Sequence, residues 1–269
     1  MGVMCNIIQW NCEGLKSKFT SGDIHQLIKE TSTSVLCLQE TKLKPDAKFS
    51  IKKFKGYFKN LQINEGEHAH GGVAVFVKSF ISYQIDLQTN LQAVAVSVCL
   101  HKRITLCSLY LPPAQQVEKR EILEIIKQLP KPFMILGDFN AHHPLWFDTR
   151  NTTPRGRMIA EVIEETDLIL LDKNQYTNMW KVDKSFSHVD LSLCSPDLAS
   201  KFHWDVHDEP LSSDHFPVLL KADIPTNKGG CSRWLPQKAD WTLYQAETEV
   251  KKDKRNQFKK LLVLLRKLY

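Results

Sequence analysis

A chain of 269 residues with 42% apolar content can bury one large core without staples, and its seven cysteines are scattered with no Cys-x-x-Cys pair, as reduced thiols are. No apolar run approaches the roughly 18 residues of a membrane span and no basic-then-apolar leader opens the chain, so the expectation is an intracellular protein that is neither secreted nor membrane-bound. Of the net charge of +6, residues 251–269 carry eight Lys and Arg against Asp253, leaving about −1 on the other 250 residues, so bulk charge names no partner for the main body. In chain order, a strand is predicted from Asn6 to Trp10 and a helix from Asp23 to Thr31, capped by Thr20 or Ser21. Strands follow at Val35 to Gln39 and Gly72 to Val77, then at Ala93 to Leu100 and Ile104 to Tyr110, the last two joined as a hairpin through His101-Lys102-Arg103. A helix from Gln116 to Leu129 is stopped by Pro130, and a strand from Phe133 to Leu136 comes next. A helix from Arg157 to Thr166 precedes the strands Val189 to Leu193 and Val218 to Lys221.

This mixture predicts an α/β fold: a four-layered sandwich of two mixed, mostly antiparallel sheets packed face to face with helices outside. A doubly wound parallel sheet is the competitor, but no glycine-rich phosphate loop follows the first strand. After Pro225 the polar, glycine-containing Thr226-Asn227-Lys228-Gly229-Gly230 reads as a linker, dividing the chain into a domain at 1–225 and a linker with basic tail at 226–269.

Acidic and amide side chains recur where strands end: Asn11 after the first, Glu40 after the second, Asp138 and Asn140 after Phe133 to Leu136, and Asp214-His215 just before the last. One such ending is ordinary. Several on one edge make an oxygen-rich pocket suited to Mg²⁺. Taken alone, Gln39-Glu40-Thr41, Gly137-Asp138-Phe139-Asn140, Ser187-His188-Val189-Asp190 and Ser213-Asp214-His215 each read as a solvated loop or cap. Together, in this order, they resemble the signatures of the endonuclease/exonuclease/phosphatase family that contains DNase I and apurinic/apyrimidinic endonucleases, over residues 5 to 222.

The resemblance implies a DNase I-like fold and a metal-dependent phosphodiester hydrolase. Glu40, Asn11 and Asp214 would hold Mg²⁺, with Mn²⁺ admissible and no small-molecule cofactor. Asp138 would orient and deprotonate the attacking water, and Asn140 would donate to the phosphate. His215, held by Asp190, would face the developing negative charge. Tyr110 would contact phosphate, and Thr177 and Ser213 would be phosphate-positioning hydroxyls.

Within the family, Trp10-Asn11-Cys12-Glu13-Gly14-Leu15 and the run Gly137 to Trp146 resemble the endonuclease modules of jockey-type non-LTR retrotransposons. Arg233-Trp234 and Lys238-Ala239-Asp240-Trp241 resemble the segment leading to a reverse transcriptase, whose Phe/Tyr-x-Asp-Asp motif is nowhere in the chain. Two departures stand out: Glu13 where relatives often have Arg or Asn, and Phe147 where a Gly commonly follows the Trp. The expected role is nicking of target DNA in the nucleus by a monomer, with RNA a further candidate partner of the tail. Asn64 to Gly72 and the hairpin at Asn178 to Ser185 are candidate DNA contacts, and the His142-His143 pair reads as structural or DNA-facing rather than metal-binding. The alternatives are a phosphatase or phosphodiesterase of the same superfamily on another substrate, and a non-catalytic nucleic-acid-binding relic.

Overall fold

The computed structural model describes residues 5–222 apart from 48, 65, 67, 79, 101, 149–150 and 181–184. The expected boundary at 225, the linker and the basic tail lie outside the described residues. In chain order the first half contains β1 (Asn6–Asn11), α1 (Leu15–Thr20), α2 (Asp23–Thr31), β2 (Thr33–Gln39), β3 (Phe54–Lys59), β4 (Val73–Lys78), β5 (Ile81–Ile85), β6 (Gln92–Cys99) and β7 (Arg103–Tyr110). The second half contains α3 (Lys119–Gln128), β8 (Phe133–Asp138), α4 (Pro154–Glu165), β9 (Ile169–Leu171), β10 (Asn178–Met179), β11 (Phe186–Ser187), β12 (Asp190–Cys194), α5 (Pro196–Ala199), β13 (Phe202–Val206) and β14 (Val218–Ala222).

Two six-stranded sheets form, ordered β13-β14-β1-β2-β4-β3 and β5-β6-β7-β8-β12-β9. The pairs β1·β2 and β7·β8 are parallel; the other ladders are antiparallel. Side chains alternate along each strand. On β1 and β2, Ile7, Val35 and Cys37 point into the core between the sheets. Ile8, Trp10, Leu36 and Leu38 point outward against Ile24 and Leu27 of α2. The second sheet does the same: Leu106 and Leu136 face inward, while Leu109 and Ile135 pack under Ile122 and Ile125 of α3 and Ile159 and Val162 of α4. Central strands covered on both faces read as continuous apolar runs. The four layers and the DNase I-like sandwich expected from the sequence are what forms.

Some local expectations shift. α2 starts after Gly22 at φ 92 rather than from a Thr20 or Ser21 cap. α3 begins at Lys119, where Glu118 and Glu121 form a capping box, and α4 begins at Pro154, earlier than Arg157. Cys5, Cys12, Cys37, Cys107 and Cys194 are buried thiols, and burial pushes Cys5 and Cys107 up to about 12. Among the described residues no helix is long and apolar enough to cross a membrane.

Candidate active site

Strand register gathers the chemistry at one edge of the sandwich. Asn11 is the last residue of β1 beside Gln39 of β2, and Tyr110 ends β7 beside Asp138, the last residue of β8. Asp190, which opens β12, pairs antiparallel with Asp138. Two buried glutamines fasten the sheets just beneath. Gln9 Nε2 donates to the Gly137 carbonyl at 3.0 Å, and Gln39 Nε2 donates to Ser108 Oγ at 2.9 Å and the Leu136 carbonyl at 3.2 Å. Gly137 has to be glycine, since a Cβ there would sit 2.1 Å from the Leu109 carbonyl oxygen.

At the centre lies Asp138, almost fully buried. Its Oδ1 accepts the Asn140 N–H at 2.9 Å, and its Oδ2 accepts Asn11 Nδ2 at 2.9 Å and Asn140 Nδ2 at 3.0 Å. Burial pushes this carboxyl up to about 7; His215 opposes the rise, the Asp190 charge adds to it, and the bonds from Asn11 and Asn140 oppose it. His215 donates from Nδ1 to Asp190 Oδ2 at 2.8 Å, while its Nε2 stands 3.9 Å from Asp138 Oδ2 and 3.8 Å from Asp214 Oδ1. Burial works against its charge, but Asp190, then Asp138 and Asp214, outweigh that and raise it to about 10, so the ring is an imidazolium at neutral pH. Trp10 Nε1 fixes the His215 carbonyl at 2.9 Å.

Glu40 follows β2 with φ 48, a left-handed conformation uncommon for such a residue. Its Oε1 accepts the Tyr110 hydroxyl at 2.6 Å and Asn11 Nδ2 at 3.3 Å, and its Oε2 pairs with Lys42 Nζ at 3.1 Å. Burial raises its pKa, but the Tyr110 bond, Lys42 and Asn11 together outweigh burial and hold the carboxyl below its ordinary value. The Tyr110 hydroxyl is correspondingly pushed up, by burial and by Glu40, and stays protonated.

Asp138, Asp190 and His215 also lie close enough together to suggest a metal cluster. Within this trio His215 Nδ1 is already bonded to Asp190 Oδ2 at 2.8 Å and its Nε2 faces Asp138, an arrangement suited to handing on a proton. The oxygen donors Glu40, Asn11 and Asp214 fit a hard cation instead. Glu40 is ionised and already draws an ammonium to Oε2, and Asp214 keeps 31% of its side chain exposed.

Three expected phosphate contacts are otherwise engaged. Thr177 is fully buried, and its Oγ1 accepts the N–H groups of Val189 and Asp190 at 3.3 and 3.2 Å. Ser213 Oγ donates to the Asn11 carbonyl at 2.9 Å and accepts the His215 N–H at 3.2 Å. These hydroxyls hold Asp190 and His215 in place rather than lining the cleft. Asn140 has both amide hydrogens on protein acceptors, Asp138 and the Leu111 carbonyl, so donating to a phosphate means exchanging one of them. His142 pairs through Nδ1 with buried Asp148 at 2.6 Å, and His143 Nδ1 accepts the Leu145 N–H, the structural use expected of the pair. Lys42, Asp148 and Gln9 were not singled out in the sequence; only Lys42, two residues beyond Glu40, carried a local signal.

The fold is the DNase I-like α/β sandwich, shared with solved structures of that type. Residues 104–219 match the family described as Endonuclease-reverse transcriptase. The chain is 27% identical over 254 residues to a probable RNA-directed DNA polymerase from transposon BS of Drosophila melanogaster, covering 90% of this chain and 27% of that protein. It is 26% identical over 255 residues to the RNA-directed DNA polymerase from mobile element jockey of the same fly, covering 89% and 26%. The chain thus spans about a quarter of the length of these relatives. Among solved structures, the endonuclease domain of TRAS1, a telomere-specific non-LTR retrotransposon, superposes with TM-score 0.66 at 19% identity, covering 82% of this chain and 98% of that one. An AP endonuclease from Leishmania major superposes with TM-score 0.68 at 15% identity, covering 82% and 88%.

Proposed function

We propose that this chain is a metal-dependent endonuclease that nicks DNA by phosphodiester hydrolysis, as the target-cleaving module of a jockey-type element. One observation carries the reading: the buried Asp138 carboxyl, at the end of the parallel pair β7·β8, faces His215 Nε2 across a gap of 3.9 Å while His215 Nδ1 is bonded to Asp190. Asp138, ionised above neutrality, orients a water and takes its proton, with Asn11 and Asn140 fixing the carboxylate plane. His215, charged through Asp190, offers Nε2 as a donor to the negative phosphate oxygens. Tyr110 and Asn11 hold Glu40 for the metal, with Asp214 the third ligand. Mg²⁺ or Mn²⁺ bound there would neutralise phosphate charge and ease departure of the leaving oxygen.

DNA as the substrate is supported by the relatives and by the surface beside His215. β10 is bridged to His215 through Asn178, and Tyr176, Trp180 and Phe186 around it are exposed. Exposed rings next to a phosphodiester site suit stacking on bases. Residues 181–184 and part of the Asn64 to Gly72 segment, both within expected DNA contacts, lie outside the described residues. The reading takes the chain as a monomer acting in the nucleus, with the basic tail as a further contact for DNA or RNA.

Supercoiled plasmid incubated with the purified chain tests it. Nicking is expected with Mg²⁺ and not with EDTA, and Glu40→Ala and His215→Ala should each lower the rate at least 100-fold, the scale of losing a charge-stabilising or proton-transferring group. A folded wild-type chain that leaves the plasmid intact in every metal would sink the proposal.

A further inference from the structure

We infer that Arg155 is a positioning residue for this reaction, a guanidinium clamp that holds the loops after β7 and β8 in register so that Tyr110, Asp138 and Asn140 meet; the inference rests on the endonuclease reading. The Arg155 side chain finds no carboxylate among the described residues. It donates instead to main-chain carbonyls on both loops. Nη1 reaches the carbonyls of Leu111 at 3.1 Å, Phe139 at 3.2 Å and Asn140 at 3.4 Å. Nη2 reaches those of Pro112 at 2.9 Å and Pro113 at 3.3 Å, and that of Gln115.

These loops start immediately after the site residues. Tyr110 precedes Leu111, and Asn140, with φ 46, follows Phe139. The Leu111 carbonyl accepts both Arg155 Nη1 and Asn140 Nδ2, so a single oxygen links the clamp to the amide that holds Asp138. The Leu111 N–H in turn donates to the Asp138 carbonyl at 3.0 Å. A planar fork of five donors can bind several carbonyls at once in a fixed geometry, whereas a lysine ammonium offers three donors from one point.

Its own backbone is anchored to the same segment. Thr153 caps α4 by accepting the Gly156 N–H at 3.0 Å, its N–H donates to the His142 carbonyl at 3.0 Å, and its Oγ1 accepts the His142 N–H at 3.2 Å. Gly156 lies so close that a Cβ would be 2.0 Å from the His142 carbonyl oxygen. Helix α4 therefore presents Arg155 to the loops from a base already tied to residues 140–142. Strain is also held there: a left-handed asparagine persists only where its surroundings over-determine it.

Arg155→Lys in the full chain, compared with wild type, tests the clamp by melting temperature, by hydrogen exchange of peptides covering 108–116 and 138–146, and by steady-state nicking. The expected result is a melting temperature within a few degrees of wild type, faster exchange confined to those two segments, and a kcat lowered about 10- to 100-fold with KM unchanged, the cost of misplacing reacting groups by a fraction of an ångström to one ångström. Arg155→Ala should recover part of its kcat in millimolar guanidinium, as filling the vacated position would allow. Unchanged exchange and kcat in Arg155→Lys would overturn the inference. So would faster exchange throughout the domain with kcat per folded molecule unaltered, which is general loss of stability. If the wild type itself fails to nick, the endonuclease reading falls, while the exchange comparison still decides whether the clamp exists.

Discussion

His215 holds its proton against burial because three carboxylates surround it, and that has a consequence for stability. Its folded pKa is raised from 6.5 to about 10, so its contribution is complete below about 6.5 and is lost as pH rises through about 10. Asp138 is raised from 3.8 to about 7 and also loses stability as pH rises, so it must be silenced to isolate the histidine. In an Asp138→Asn background, His215→Gln should lower the melting temperature most at pH 6.5, and the two curves should converge as pH rises, at a pH below about 10 because Asp138 is one of the charges that raise the ring, with Asp190 and Asp214 the remaining charges facing it. A constant offset across that range would mean the ring is neutral and the proposed donor at Nε2 absent. At this scale the sequence was informative about placement, since Asn11, Glu40 and Asp138, read as strand endings, do gather at one edge of the sandwich with His215 beside them. It misled for Thr177 and Ser213: a hydroxyl in a motif can face a phosphate or hold a backbone N–H, and only the packing around it decides which. Arg155 was invisible for a related reason, since its partners are carbonyls, which every residue has.

Elements were legible in proportion to how completely they are buried. The central strands β1, β2, β7 and β8 are apolar on both faces and stand out in the sequence. By contrast, β3, β5, β9 and β13, the four sheet edges, were not anticipated, because an edge strand that is partly solvated loses the run of apolar residues that marks a buried one. β3, Phe-Lys-Gly-Tyr-Phe-Lys, has one buried residue out of six. Turns were legible where a residue type matched a conformation, and Phe147 is the instructive mismatch. It ends the short turn Pro144–Trp146 with φ 57 and is 56% exposed, so the glycine that the resemblance leads one to expect there would have a conformational cause. A β-carbon in the left-handed region costs roughly 1–2 kcal/mol, partly offset by the extra freedom glycine has when unfolded. Phe147→Gly should therefore stabilise the domain by roughly 0.5–1 kcal/mol, seen as a higher urea midpoint at an unchanged slope. A lower midpoint would mean that the half-exposed ring makes contacts worth more than the strain.

For the whole molecule, the distribution of charge separates catalysis from capture. Residues 226–269 carry a net +7, and residues 1–225 sum to about −1, while the residues proposed to do the chemistry all lie between Asn11 and His215. Counterion release counts the cations that touch phosphate rather than net charge, and each tail cation that does so steepens the fall of affinity with salt by about 0.9 in the log–log slope. A chain ending at residue 225 should accordingly keep its kcat on plasmid DNA at low salt, bind duplex DNA more weakly, and show a shallower salt dependence than the full chain. Titrating a fluorescent duplex at several salt concentrations, alongside nicking at saturating DNA, separates the two effects. Equal slopes would show that the tail does not touch phosphate and that the domain's own surface, the rings around β10 and β11 included, supplies the binding. A truncated chain that melts like the full one but has lost kcat would place part of the catalytic unit beyond residue 225, and the boundary drawn at the Thr226 to Gly230 linker would have to move.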